Sequence, residues 1–150
     1  MALRESPVGL MKSQMDIEKL AQQKLAAARA LLDNGHLDDA YYLAGYSIEL
    51  YLKASICKTL GADDFFVFDK LSSKENYRAF RNHNYKDLLV FSGLQPAFEV
   101  AVQEPDFAVN WTTVKKWNEK YRYELGQDPG TVKDFLNSSQ IICTWIQKHL

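Results

Sequence analysis

Residues Leu37–Leu60 read LDDAYYLAGYSIELYLKASICKTL, and this stretch decides the fold. Leu37, Tyr41, Ala44, Ile48, Leu52 and Ile56 follow the helical repeat, while Ala40, Leu43, Leu50, Ala54 and Cys57 fill the flanking positions. A helix so apolar around its circumference belongs in the middle of a domain. One narrow stripe interrupts it. Tyr42, Tyr46, Glu49 and Lys53 recur at helical spacing, with Gly45 beside them as a place where another backbone would come close.

Upstream, Ser13 or Asp16 caps a helix that continues to about Asp33, with Ile17, Leu20, Lys24, Ala28 and Leu31 on one face and Leu25 and Leu32 widening it. Asn34-Gly35 supplies a left-handed stop, and so short a connection makes the two helices antiparallel neighbours. Residues 1–12, with Pro7 and Gly9 and no period, read as a flexible arm, which leaves 13–150 as one domain.

Downstream, Gly61 closes the central helix. Residues 62 to about 81 form a long connection carrying Phe65, Phe66, Phe68, Tyr77 and Phe80, part of which is expected to pack down as a lid. Tyr85, Leu88, Leu89 and Phe91 give a short helix stopped near Gly93, and QPAFEVAVQEPDF gives another, broken by Pro105. The run NWTTVKKWNEKYRYELG places Trp111, Val114, Asn118 and Tyr121 on one helical face and ends at Gly126. Asp128-Pro129 then opens a final helix along Val132, Phe135, Leu136, Ser139, Ile142, Cys143 and Ile146. Ile141 and Trp145 lie off that face and are candidates for burial against a partner subunit. The expected architecture is all-α: an up-and-down helical bundle with two long antiparallel helices, short middle helices and a long C-terminal helix.

Composition narrows the function. Apolar residues make up 47% and charged residues 25%, the balance of a globular chain rather than a disordered one. A formal charge of -1 gives no net attraction to nucleic acid or to an anionic membrane, so such binding needs a local basic patch. No stretch approaches the ~20 apolar residues of a membrane span, and the first residues lack a signal-peptide core, so a cytoplasmic protein without membrane contact is expected. Cys57 and Cys143 lie within apolar helical patterns and have no ligand-spaced neighbour, which predicts two buried thiols and no metal site.

No phosphate loop, GxSxG turn or HExxH motif is present, and no cofactor is implied. The remaining candidates are polar residues set in apolar helices: Glu49 and Lys53, His83 at a helix start, and Arg122 between Tyr121 and Tyr123. Glu49 and Lys53 form an i,i+4 pair in the favoured order, and on a buried helix their charges must be matched internally, by His83 or Arg122, or at a wet edge. Such a group is either a brace that fixes helix register or the floor of an anion cleft. His83 follows Arg78 and Arg81 and opens a helix, where free N–H groups favour an anion; Arg with His there suits phosphodiester cleavage. His36, in a tight turn, and His149, near the chain end, read as solvated. The basic and aromatic run with Lys115, Lys116, Lys120 and Arg122 has the composition of a nucleic-acid surface and equally of an ordinary helix with a solvated edge.

These stretches, LLDNGHLDDAYYLAGYSIELYLKASI, HNYKDLL, and a tryptophan-containing helix leading into YRYE and a long terminal helix, resemble the HEPN domain (higher eukaryotes and prokaryotes nucleotide-binding) over roughly residues 16–148. The resemblance implies a bundle that commonly dimerises. It also implies either the RNases of toxin and phage-defence systems or non-catalytic partners that bind nucleotides, RNA or proteins. The RNases carry Arg-x(4–6)-His at the start of a late helix; here Arg122 is followed at those spacings by Gln127, Asp128 and Pro129, with no histidine. Arg78 and His83 have an Arg-x4-His spacing but lie earlier in the chain, where the family's histidine is usually structural. The expectation is a homodimeric, non-catalytic binding module for a nucleotide, RNA or partner protein, with Glu49, Lys53, His83, Arg122 and Tyr46 as its polar cluster. Two alternatives stay open: a metal-independent ribonuclease using Arg78 and His83, and a purely structural dimerisation domain using Ile141 and Trp145.

Overall fold

The computed structural model describes residues 13–61 and 81–150, which form six α-helices and one 3-10 segment. The expected arm, the aromatic connection and Arg78 lie outside the described residues. In chain order the helices are α1 (Gln14–Asp33), α2 (Leu37–Leu60), α3 (Tyr85–Phe91), α4 (Gln95–Ala101), α5 (Pro105–Val114) and α6 (Pro129–Gln147), with the 3-10 segment Glu119–Tyr123 before α6. The all-α bundle expected from periodicity is the fold found.

Local chemistry sets the boundaries. Ser13 and Asp16 close a capping box at the start of α1, each side chain accepting from the other's backbone N–H at 3.1 Å. Gly35 and Gly61 take positive φ at the ends of α1 and α2, the conformation a side chain disfavours. Asp128 caps α6 through Thr131 N at 3.0 Å, and Pro129 occupies the first turn, where its missing N–H costs nothing. The buried seam of α1 is Ile17, Ala21, Leu25 and Ala28. It is rotated from the expected Leu20–Lys24–Leu31 line because the alanines let α1 lie close to its neighbour and leave Leu20 and Leu31 to fill the flanks.

The core is built around α2. Ala44, Ile48, Leu52, Ala54 and Ile56 on it are fully enclosed. α1 packs antiparallel on one side. On another, α6 runs parallel to α2: Tyr41 stacks on Phe135 at 4.0 Å and Ser47 meets Cys143 at 3.5 Å, in matching order along both helices. Both ends of this pair are tied. Asp38 accepts from Gln127 N at 2.8 Å just before α6, and Lys58 donates to the His149 carbonyl at 2.6 Å just after it.

Two sequence readings change here. The helix expected through NWTTVKKWNEKYRYELG is broken: α5 ends at Val114, and Asn118 adopts extended backbone and accepts from Lys120 N to start the 3-10 segment. A capping asparagine wins over the helical repeat. Trp145 is partly covered within the chain, by Phe107 at 5.2 Å and Phe98 at 6.2 Å, and His149 packs on it at 4.8 Å. His149 is therefore half-buried rather than solvated, with Nδ1 2.8 Å from the Trp145 carbonyl. Ile141 does remain 45% exposed.

The enclosed core has a pH signature. Burial pushes the Cys143 thiol up to about 12 from 9.0, against a small opposing effect of Ser47, and pushes Tyr51 up to about 12 from 10.0. Unfolding returns both groups to their ordinary values, so the unfolded chain loses these protons first. Stability is complete below about pH 9 and falls as pH rises from there toward 12. Urea melts should show a loss of about 2 kcal/mol between about pH 9 and pH 11 from Cys143 alone, and Cys143→Ala should reduce that slope.

Candidate functional site

The stripe on α2 leads to the site. Glu49 is completely buried, an unusual place for a carboxylate, and both of its oxygens are engaged. Lys53 Nζ donates to Oε2 at 3.0 Å from the next turn of α2. His83 Nδ1 lies 2.8 Å from Oε1, brought in by the segment that precedes α3. The other ring nitrogen, Nε2, lies 3.0 Å from Oε2 of Glu119 at the start of the 3-10 segment. His83 stands between two carboxylates, one at each ring nitrogen. A chain Lys53–Glu49–His83–Glu119 thus runs from the interior to the surface, where His83 and Glu119 have side chains 43% and 45% exposed.

The outer end opens into a cleft of about 690 Å³ between the start of α3 and the segment after α5. Lys86, Lys115, Lys116 and Lys120 line it together with His83, Glu119, Trp111 and Trp117. Four ammonium groups against one carboxylate make this a basic site on a chain of nearly neutral total charge. The amides at the start of α3 add nothing to it. The Asn84 side chain accepts from Lys86 N at 2.9 Å and from Asp87 N at 3.4 Å, so the expected anion site on free helix N–H groups is already filled by the cap.

One wall of the cleft is fixed by packing. A Cβ on Gly45 would stand 2.2 Å from the Trp117 indole, so the glycine makes room for a ring rather than for the expected second backbone. Tyr85 stacks on that indole at 5.5 Å and 10°, and its hydroxyl donates to the Gly45 carbonyl at 2.6 Å. Burial pushes the Tyr85 hydroxyl well above its usual range. Trp117 Nε1 is buried without a hydrogen-bond partner among the described residues, so packing alone holds the ring.

Arg122 does not join the Glu49 cluster by contact. Its Nη2 donates to the Tyr42 hydroxyl at 3.0 Å, and its guanidinium lies 5.4 Å over the Tyr42 ring and 5.9 Å from that of the exposed Tyr123. That hydrogen bond is the main reason its pKa is raised. Tyr46 lies between the two groups, parallel to Tyr42 at 6.0 Å, and its pKa is raised first by burial and then by the Glu49 charge, with Arg122 opposing. Arg81 is exposed. Glu119 and Lys86, which complete the cleft, carry no motif; the Asn118 cap before Glu119 is the signal that marks where the chain turns toward His83.

Among the described residues no group of His, Cys, Asp and Glu is placed to hold a metal ion, and no helix is long and apolar enough to cross a membrane. The HEPN domain family model matches residues 17–64, the part of the chain that includes most of α1 and all of α2 with Glu49 and Lys53. The match supports the family resemblance read from the sequence. No curated protein and no solved structure matches the chain.

Proposed function

Taking the HEPN match over α1 and α2 as the premise, we propose that this chain is a non-catalytic binding module whose lysine-lined cleft takes the phosphates of a nucleotide or RNA strand. The observation that carries the non-catalytic part is the missing histidine: the positions at the family's nuclease spacing after Arg122 hold Gln127, Asp128 and Pro129. Arg122, the nearest counterpart of the family's nuclease arginine, is tied to Tyr42 and has no histidine at the family's spacing. Binding is supported by the four lysines, whose field favours phosphate whatever its sequence context. Homodimerisation belongs to this reading through the family resemblance alone.

Fluorescence anisotropy with a labelled single-stranded RNA tests the proposal. Lys115→Glu/Lys116→Glu should weaken binding by at least about tenfold and flatten its salt dependence, since both residues line the cleft and are exposed rather than part of the core. Affinity equal to wild type would remove the cleft from consideration. RNA cleavage by the wild type that disappears in His83→Ala would replace the binding module with the ribonuclease alternative.

A further inference from the structure

The chain through His83 has two carboxylates of very different character. Glu49 is enclosed and carries Lys53 on its second oxygen, so moving it would break a buried ion pair. Glu119 is 45% exposed, sits in the first turn of a five-residue 3-10 segment, and among the described residues meets the outward nitrogen of His83 at 3.0 Å. A half-exposed pair of this kind contributes little and exchanges readily. Around it stand the ammonium groups of Lys86, Lys115, Lys116 and Lys120. An anion in that surrounding is the group the cleft is built to attract, and the protein supplies one of its own.

We propose that Glu119 is an internal competitor: its carboxylate holds the His83 Nε2 position that a phosphate oxygen of the ligand takes on binding. This rests on the cleft reading above and deepens it, because it names His83 as the contact for one phosphate group and Glu119 as the group displaced. The two occupants offer the same kind of atom. A carboxylate oxygen and a phosphate oxygen both settle at ~3 Å from a ring nitrogen. The inner contact with Glu49 stays in place throughout and keeps the ring oriented. Displaced, the Glu119 side chain moves into water, which its present exposure already allows.

The test uses AMP as probe, with Glu119→Gln, which keeps shape and removes charge. Glu119→Gln should bind AMP roughly fivefold more tightly than wild type, the size of one exposed ion pair. Glu124→Gln, a charge change in the same stretch away from His83, should leave affinity unchanged. In a His83→Ala background the Glu119→Gln gain should fall below about twofold, because the contested position is gone. A wild-type affinity in Glu119→Gln overturns the competitor while leaving the cleft intact. A full gain in the His83→Ala background overturns it too, by reducing Glu119 to a distant charge. AMP and RNA binding absent from wild type and Glu119→Gln alike removes the site and the inference with it.

Discussion

Glu49→Ala is expected to lower the unfolding free energy by about 3–5 kcal/mol, the cost of taking one partner from a buried ion pair. The loss comes mostly from the ion pair with Lys53, whose side chain is only 12% exposed; His83, at 43%, can turn to water. For a chain of this size the midpoint of thermal unfolding should fall on the order of 10 °C. Glu49→Gln, which keeps the shape and one acceptor oxygen, should lose about half as much. The double variant Glu49→Leu/Lys53→Met separates the causes. If the broken ion pair is responsible, it should recover most of the loss, because an apolar pair of similar volume fits where the ions stood. A Glu49→Ala variant that melts within a degree or two of wild type would show that the buried carboxylate ties nothing together.

Gly45→Ala should destabilise by about 3 kcal/mol, the upper range for overpacking a filled interior. The sign matters, since glycine to alanine within a helix otherwise gains about 1 kcal/mol. Here the added methyl would stand 2.2 Å from the Trp117 indole, a ring wedged between α2 and Tyr85. The ring must leave, and the cleft wall leaves with it. Tryptophan emission should shift to the red as Trp117, 4% exposed in the native chain, meets solvent. An unchanged melt and unchanged emission would mean that the indole has another place to go. Trp117→Phe in the Gly45→Ala background should recover part of the loss by shrinking the obstructed ring.

Much of this architecture was legible before any coordinates, because the determinants were local. The Ser13 cap, the glycines after α1 and α2, and the Asp128-Pro129 start are chemical marks within a few residues of the boundaries they set. The uniform apolarity of residues 37–60 placed α2 at the centre for the reason that it is buried there. Long-range partners were legible only as a shortlist. That Glu49 needs a mate follows from its burial; that His83 is the mate and Arg122 is not depends on where the chain turns, which Asn118 decides by capping a new segment. Glu119 had no signal of its own, being one acidic residue among lysines. The rings that partly cover Trp145, Phe98 and Phe107, were not legible, because they come from short helices whose docking no repeat encodes.

The parallel run of α6 beside α2 has a consequence for synthesis. The groups that join these helices, Asp38 with Gln127, Lys58 with His149 and Ser47 with Cys143, are separated by 89, 91 and 96 residues. α1 covers its side of α2 as soon as the hairpin leaves the ribosome, but the opposite side must wait for α6. At a translation rate of about 5–20 residues per second, that greasy flank stays bare for roughly 5–20 seconds in every nascent chain. It is during this interval, rather than in the finished bundle, that the apolarity which fixes α2 at the centre becomes a hazard a chaperone would have to cover.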